Sequence, residues 1–171
     1  MARNHPACYY VSMKWEQLCD DRTLENIPYR VELVRSGQLV MSPHRSYHSI
    51  FQSRIIRWLN QLLPVGEAMP ECPVETELGT VVADVAWAAP EKVTRNFDRP
   101  CWTESPEIVV EVLSPSNASE EIRRKREAVF ARGAQEFWTC DSKGNLMFFN
   151  PQGELPVSGV CPKFPVSVAS R

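Results

Sequence analysis

Two acids stand inside apolar, β-branched runs: Asp84 in Val81-Val82-Ala83-Asp84-Val85-Ala86-Trp87 and Glu111 in Ile108-Val109-Val110-Glu111-Val112-Leu113. Desolvating a carboxylate in such a run costs on the order of several kcal/mol unless it is protonated, paired or bound to a metal. If the two runs are neighbouring strands, their acids meet and each opposes the ionisation of the other. A divalent cation removes that conflict. A metal held by carboxylates at strand ends is a common way to build a phosphodiester-cleaving centre.

The elements that must position these acids follow from periodicity and turn chemistry. Tyr29–Leu33 and Gln38–Met41 predict a hairpin turning at Val34-Arg35-Ser36-Gly37. In 47–63, Phe51, Ile55, Trp58, Leu59 and Leu62 form a helical stripe that Pro64 and Gly66 end. Pro73–Leu78 and Thr80–Trp87 predict two strands joined near Gly79. They are followed by a long connection, 88–106, containing Pro90, Pro100 and Pro106. The Glu107–Leu113 run predicts a strand covered on both faces. A helix to about Arg132 follows, with Asn117 as its cap and Gly133 as its stop. A second hairpin pairs Glu136–Asp141 with Leu146–Asn150, and the proline-bearing tail reads as irregular surface chain. A short helix is expected around Met13–Cys19. Strand alternation puts Asp84 on the face of Val82 and Ala86, and Glu111 on that of Val109 and Leu113. The order predicts an α/β (α+β) fold, a mixed sheet flanked by helices.

Length and composition fit one domain of 171 residues, with 43% apolar and 23% charged residues. Its parts are an N-terminal extension (1–28), a core (29–150) and a tail (151–171). A formal net charge of −2 disfavours a protein that coats nucleic acid non-specifically but permits a local basic cleft. No apolar stretch is long enough to span a membrane, and Met1–Pro6 has no signal core, so the expectation is a cytoplasmic protein. The six cysteines form no Cys-x-x-Cys pair and none lies at zinc spacing from His5, His44 or His48. They read as reduced thiols.

Counting from Ile122, the inward stripe of the later helix is 122, 125, 126, 129 and 130, and Lys125 and Arg126 occupy its centre. Two readings stand. The stems pack while the charges reach water, or a cation is aimed at the acids or at a phosphate beside them. His48 lies on the apolar side of its helix, and reads as a hydrogen-bonded boundary residue or a site residue. Glu32, between Val31 and Leu33, is either solvent-facing or a further acid. The run Arg123-Arg124-Lys125-Arg126 reads most simply as a solvated helix face.

Several segments together resemble one family. They are Tyr29-Arg30-Val31-Glu32-Leu33-Val34-Arg35-Ser36-Gly37-Gln38-Leu39-Val40-Met41-Ser42-Pro43, His48, Ala83-Asp84-Val85-Ala86 and Val109-Val110-Glu111-Val112-Leu113-Ser114-Pro115-Ser116. Lys125-Arg126, Phe130, Gly133-Ala134-Gln135-Glu136-Phe137-Trp138, Ser158 and Phe164-Pro165 complete the set. In this order they resemble the Uma-two family of putative restriction endonucleases, a branch of the PD-(D/E)XK nuclease superfamily, over roughly Trp15 to Val168. The resemblance implies a restriction-endonuclease-like mixed sheet. It also implies Asp84 as metal-binding aspartate, Glu111 as the acid of the E-x-K element and the Val112 carbonyl as a further ligand. Leu113 stands where that element carries lysine, and Lys125 matches the lysine that the family places on the next helix. Glu32 matches an acid of the first core element and His48 the helix histidine. Two departures are Ala83, where the family often has proline, and Val129, where it commonly has tyrosine.

What the resemblance implies is metal-dependent DNA hydrolysis. Mg²⁺ or Mn²⁺ would be held by Asp84, Glu111, Val112 and Glu32, Lys125 would act with them, and His48 and Arg126 would hold substrate phosphate. A homodimer on a DNA duplex is the accompanying expectation. The rival from another class is a nucleic-acid-binding or assembly module that keeps the fold without turnover. A two-carboxylate sugar hydrolase is weaker, because Trp15, Trp58, Trp87, Trp102 and Trp138 mostly take apolar-periodic positions that mark core.

Overall fold

The computed structural model describes residues 14–22, 30–42, 46–114 and 118–170. Short α1 (Trp15–Cys19) precedes the hairpin β1 (Arg30–Val34) and β2 (Leu39–Ser42). Then come α2 (Ser46–Leu62), β3 (Glu67–Thr76), β4 (Gly79–Ala88), α3 (Pro90–Asn96), β5 (Ile108–Val112) and α4 (Ser119–Ala131). β6 (Glu136–Cys140), β7 (Leu146–Asn150) and β8 (Gly153–Leu155) complete the chain. The strands form one eight-stranded sheet in the order β2-β1-β4-β5-β6-β7-β8, with β3 also paired to β4. Among the described pairs, β5–β6 alone is parallel. Its crossover carries α4, since parallel neighbours need a long return path.

The sheet is covered on both sides. Phe51, Ile55 and Leu59 of α2 pack with Ile108, Val110 and Val112, whereas Val129 of α4 packs with Val109 and Phe137. Successive β5 residues point to opposite faces, so α2 and α4 lie on opposite sides of the sheet. All five β5 residues are buried, as the apolar run predicts. Full burial of Ile55 and Leu59 contributes about 1.5–3 kcal/mol each before entropy is counted.

β4 is shared between two partners on one edge. Its pairing with β1 ends at Thr80, and its pairing with β5 begins at Val85. Gly79 (φ +113°) lets β1 come close: a Cβ there would collide with the Leu33 carbonyl oxygen. Between Thr80 and Val85 the edge opens into a fork.

Three expectations need correction. The 88–106 connection holds α3, begun by Pro90 at its first turn, and the buried Trp102, which bridges to Val74. The tail is not surface chain: Cys161, Phe164 and Val168 belong to the α2-side core. Strand alternation also fails around Asp84. Val81, Ala83, Ala86 and Ala88 all pack in the α4-side core while Val85 faces the α2 side. The phase slips by one residue, so Ala86 does not continue the facing of Val82. Elsewhere the predicted elements stand, with β3 beginning earlier than expected, at Glu67. The proposed cap, Asn117, lies outside the described residues, and α4 follows Ala118 without a side-chain cap.

Candidate active site

Extending the β4–β5 register one step past Val85↔Val110 sets Asp84 opposite Glu111. The two acids therefore meet across neighbouring strands where the ladder stops. Asp84 is 1% exposed and Glu111 5%. The Asp84 carboxylate takes over from the interrupted ladder: its Oδ2 accepts the Val112 N–H at 2.6 Å. The same oxygen lies 3.1 Å from His48 Nε2, brought from α2.

From the other face comes Lys125 of α4, which is buried. Its Nζ lies 2.8 Å from Glu32 Oε1 and 3.0 Å from Glu111 Oε1, and donates to the Val82 carbonyl at 2.9 Å. The Val82 N–H donates to Glu32 Oε1 at 3.4 Å. Side chains thus satisfy the Val82 backbone groups in the fork, as buried peptide groups require. Of the two readings of Lys125, the structure shows the cation aimed at acids.

Arg126 is placed differently. Its guanidinium stands 4.4 Å from the centre of the Phe149 ring, a cation–π contact on β7. Arg123 and Arg124 form the solvated face, paired with Glu120 and, for Arg123, Glu127. Hydrogen bonds from Arg123 and then Arg124 hold the Glu120 carboxyl down at about 2. The structure therefore brings together Glu32, His48, Asp84, Glu111 and Lys125, with Val112 through its N–H, and leaves Arg126 on an aromatic ring.

One neighbour of the site was missed. Gln52 is buried on α2, and its Nε2 donates to the Asp84 carbonyl at 2.9 Å and to Glu71 Oε1 at 2.7 Å. The available signal was the one that exposed Lys125, a polar residue on an otherwise apolar stripe.

The donor set fits a hard divalent cation. Its acids offer carboxylate oxygens, the ligands such an ion prefers: the Asp84 carboxylate lies beside His48, and Glu32 and Glu111 share the Lys125 ammonium. Among the described residues no group of three or more His, Cys, Asp or Glu side chains forms a ready cage. Mg²⁺ does not demand one, because it keeps several waters and takes one or two carboxylates.

Residues 14–158 match the family model Uma2, described as putative restriction endonuclease. The chain belongs to the Uma2 family. Among solved structures it is similar to a putative nuclease belonging to DUF820 from Anabaena variabilis ATCC 29413. The TM-score is 0.71 at 16% identity, covering 91% of this chain and 94% of that one, which establishes the shared nuclease-like fold. No curated protein matches the chain. Among the described residues, no helix of this Uma2 member is long and apolar enough to cross a membrane.

Proposed function

We propose that this Uma2 protein hydrolyses DNA phosphodiester bonds with the help of Mg²⁺ or Mn²⁺, held by Asp84, Glu111 and the Val112 carbonyl, with Glu32 contributing directly or through water. The observation that carries the reading is the opposition of Asp84 and Glu111 in the fork, with Lys125 between Glu111 and Glu32. When bound, such an ion acidifies water and neutralises charge on the phosphorane.

The chain's own residues supply the rest. Lys125, whose three N–H groups meet Glu32, Glu111 and the Val82 carbonyl, would exchange one of these partners to hold the attacking water or donate to a phosphoryl oxygen. His48 is oriented by Asp84 through Nε2, and it would hold the substrate phosphate through Nδ1 in its doubly protonated form, in which both ring nitrogens donate. Arg126 joins the phosphate contacts only by leaving Phe149, so its contribution is the smaller one. The buried walls of the fork limit water around these groups and strengthen their electrostatics.

Calorimetric titration of Mn²⁺ into wild type and Asp84→Asn, followed by cleavage assays on single- and double-stranded DNA, tests the proposal. Saturable binding lost in the variant, with metal-dependent cleavage, is the expected result. Equal binding in both proteins, or none in either even with duplex present, would replace the nuclease by a non-catalytic nucleic-acid-binding or assembly module.

A further inference from the structure

Glu71 is the one described non-glycine residue in the left-handed region, with φ at +51°. The other positive-φ positions described, 37, 79, 133, 144 and 153, are all glycine. An L side chain there costs about 1–2 kcal/mol, and Glu71 is exposed, so core packing does not explain the retention of glutamate.

Its place in the sheet does. The β3–β4 register runs Pro70↔Val85, then Cys72↔Ala83, and skips the intervening pair, Glu71 and Asp84. Both strands change phase there: Met69, Cys72 and Val74 in β3 and Val81, Ala83 and Ala86 in β4 belong to one core, while Ala68 and Val85 belong to the other. At the skipped pair stands the Gln52 amide, donating to Glu71 Oε1 at 2.7 Å and to the Asp84 carbonyl at 2.9 Å. A side-chain amide has two N–H groups, so these two bonds use both. A carboxylate acceptor makes the first bond charge-assisted and polarises the amide for the second.

We infer that Glu71 and Gln52 are positioning residues for Asp84. The strained glutamate fixes the Gln52 amide, the amide fixes the Asp84 backbone at the slip, and the Asp84 carboxylate is thereby set against Val112 and opposite Glu111. The inference rests on the proposed metal site for its functional consequence and on the geometry of the slip for its structural one. Strain held in place at a functional residue is a known economy of such sites.

The test uses the full chain as wild type, Glu71→Gly and Glu71→Gln, with two readouts. The first is the Val112 amide proton in ¹H–¹⁵N spectra and its hydrogen exchange, which report the 2.6 Å bond to Asp84 independently of metal and DNA. The second is Mn²⁺ affinity. Glu71→Gly relieves the backbone but removes the carboxylate, so it should keep or raise the melting temperature. The same variant should shift the Val112 amide upfield, speed its exchange and weaken Mn²⁺ binding about 10–100-fold, the range for outer partners of metal ligands. Glu71→Gln keeps an acceptor and should restore both readouts towards wild type. Wild-type Val112 exchange in Glu71→Gly, or equal losses in the two variants, would overturn the inference. If wild type binds no Mn²⁺, the metal proposal fails while the Val112 amide still decides whether Glu71 positions Asp84.

Discussion

Among the described residues, two places bury carboxylates, and they do it in opposite ways. Glu136, at the start of β6 and 3% exposed, is surrounded by neutral donors. Trp138 Nε1, Ser158 Oγ and the Gly159 and Val160 N–H groups all donate to it at 2.6–2.9 Å. The fork gathers Asp84, Glu111 and Glu32 with the Lys125 ammonium and the His48 imidazole, delivered by helices on opposite faces. Neutral donors stabilise a lone carboxylate and pin the tail to the sheet; they leave no reason for a cation to enter. Acids brought together on neighbouring strands oppose one another's ionisation, a conflict that a cation relieves. Burial of an acid is thus a weak sign of function, and the kind of partner it has is the stronger one.

The sharpest way to break the comparison is to remove one acid from each place. Asp84→Asn or Glu111→Gln should bring DNA cleavage to background while circular dichroism and the melting temperature stay near wild type. Glu136→Ala should do the reverse. It strands several buried donors at about 1–3 kcal/mol each. A net loss of about 3 kcal/mol would lower the melting temperature of a chain this size by roughly 6–12 °C, and activity per folded molecule should persist. Wild-type cleavage in Asp84→Asn, or unchanged melting in Glu136→Ala, would erase the distinction.

A second variant separates holding a cation from turnover. Lys125→Met keeps the stem but removes the ammonium between Glu32 and Glu111. Cleavage should fall about 10²–10³-fold, the usual cost of losing a transition-state donor. Mn²⁺ should still bind, because the carboxylates remain and have lost a competitor. Loss of Mn²⁺ binding along with cleavage would show that Lys125 maintains the fork rather than acting in it.

The legible parts of the site were those that broke a periodic pattern. Asp84 and Glu111 interrupt β-branched runs, and Lys125 interrupts a helical stripe; all three meet at the fork. Gln52 carried the same signal beside Phe51, where the apolar stripe drew attention away from it. The slip at Glu71 left no trace, because two strands losing phase together preserve their register and only the packing records the change. The docked tail was hidden for another reason. Cys161, Phe164 and Val168 have no regular spacing, and their burial depends on Glu136, more than twenty residues upstream, capturing Ser158 to Val160. In 88–106, Pro90 followed by Glu91 was a helix-start signal concealed by reading prolines only as breakers.

Arg126 marks the boundary between the two kinds of place, and its substitution should have the smallest effect. Its guanidinium rests on Phe149, where a cation–π contact contributes about 0.5–1 kcal/mol. Arg126→Ala should therefore lower stability by no more than about that amount. If the side chain swings from the ring to a substrate phosphate, KM for DNA should rise a few-fold with kcat unchanged. The salt dependence of binding should also become shallower by about one released counterion. Arg126→Lys, which keeps the charge but loses planar stacking, should restore the salt dependence while leaving the stability loss in place. A fall in kcat with KM unchanged would instead place Arg126 beside Lys125 in the chemical step, and the ring contact would then be a resting position for a catalytic cation.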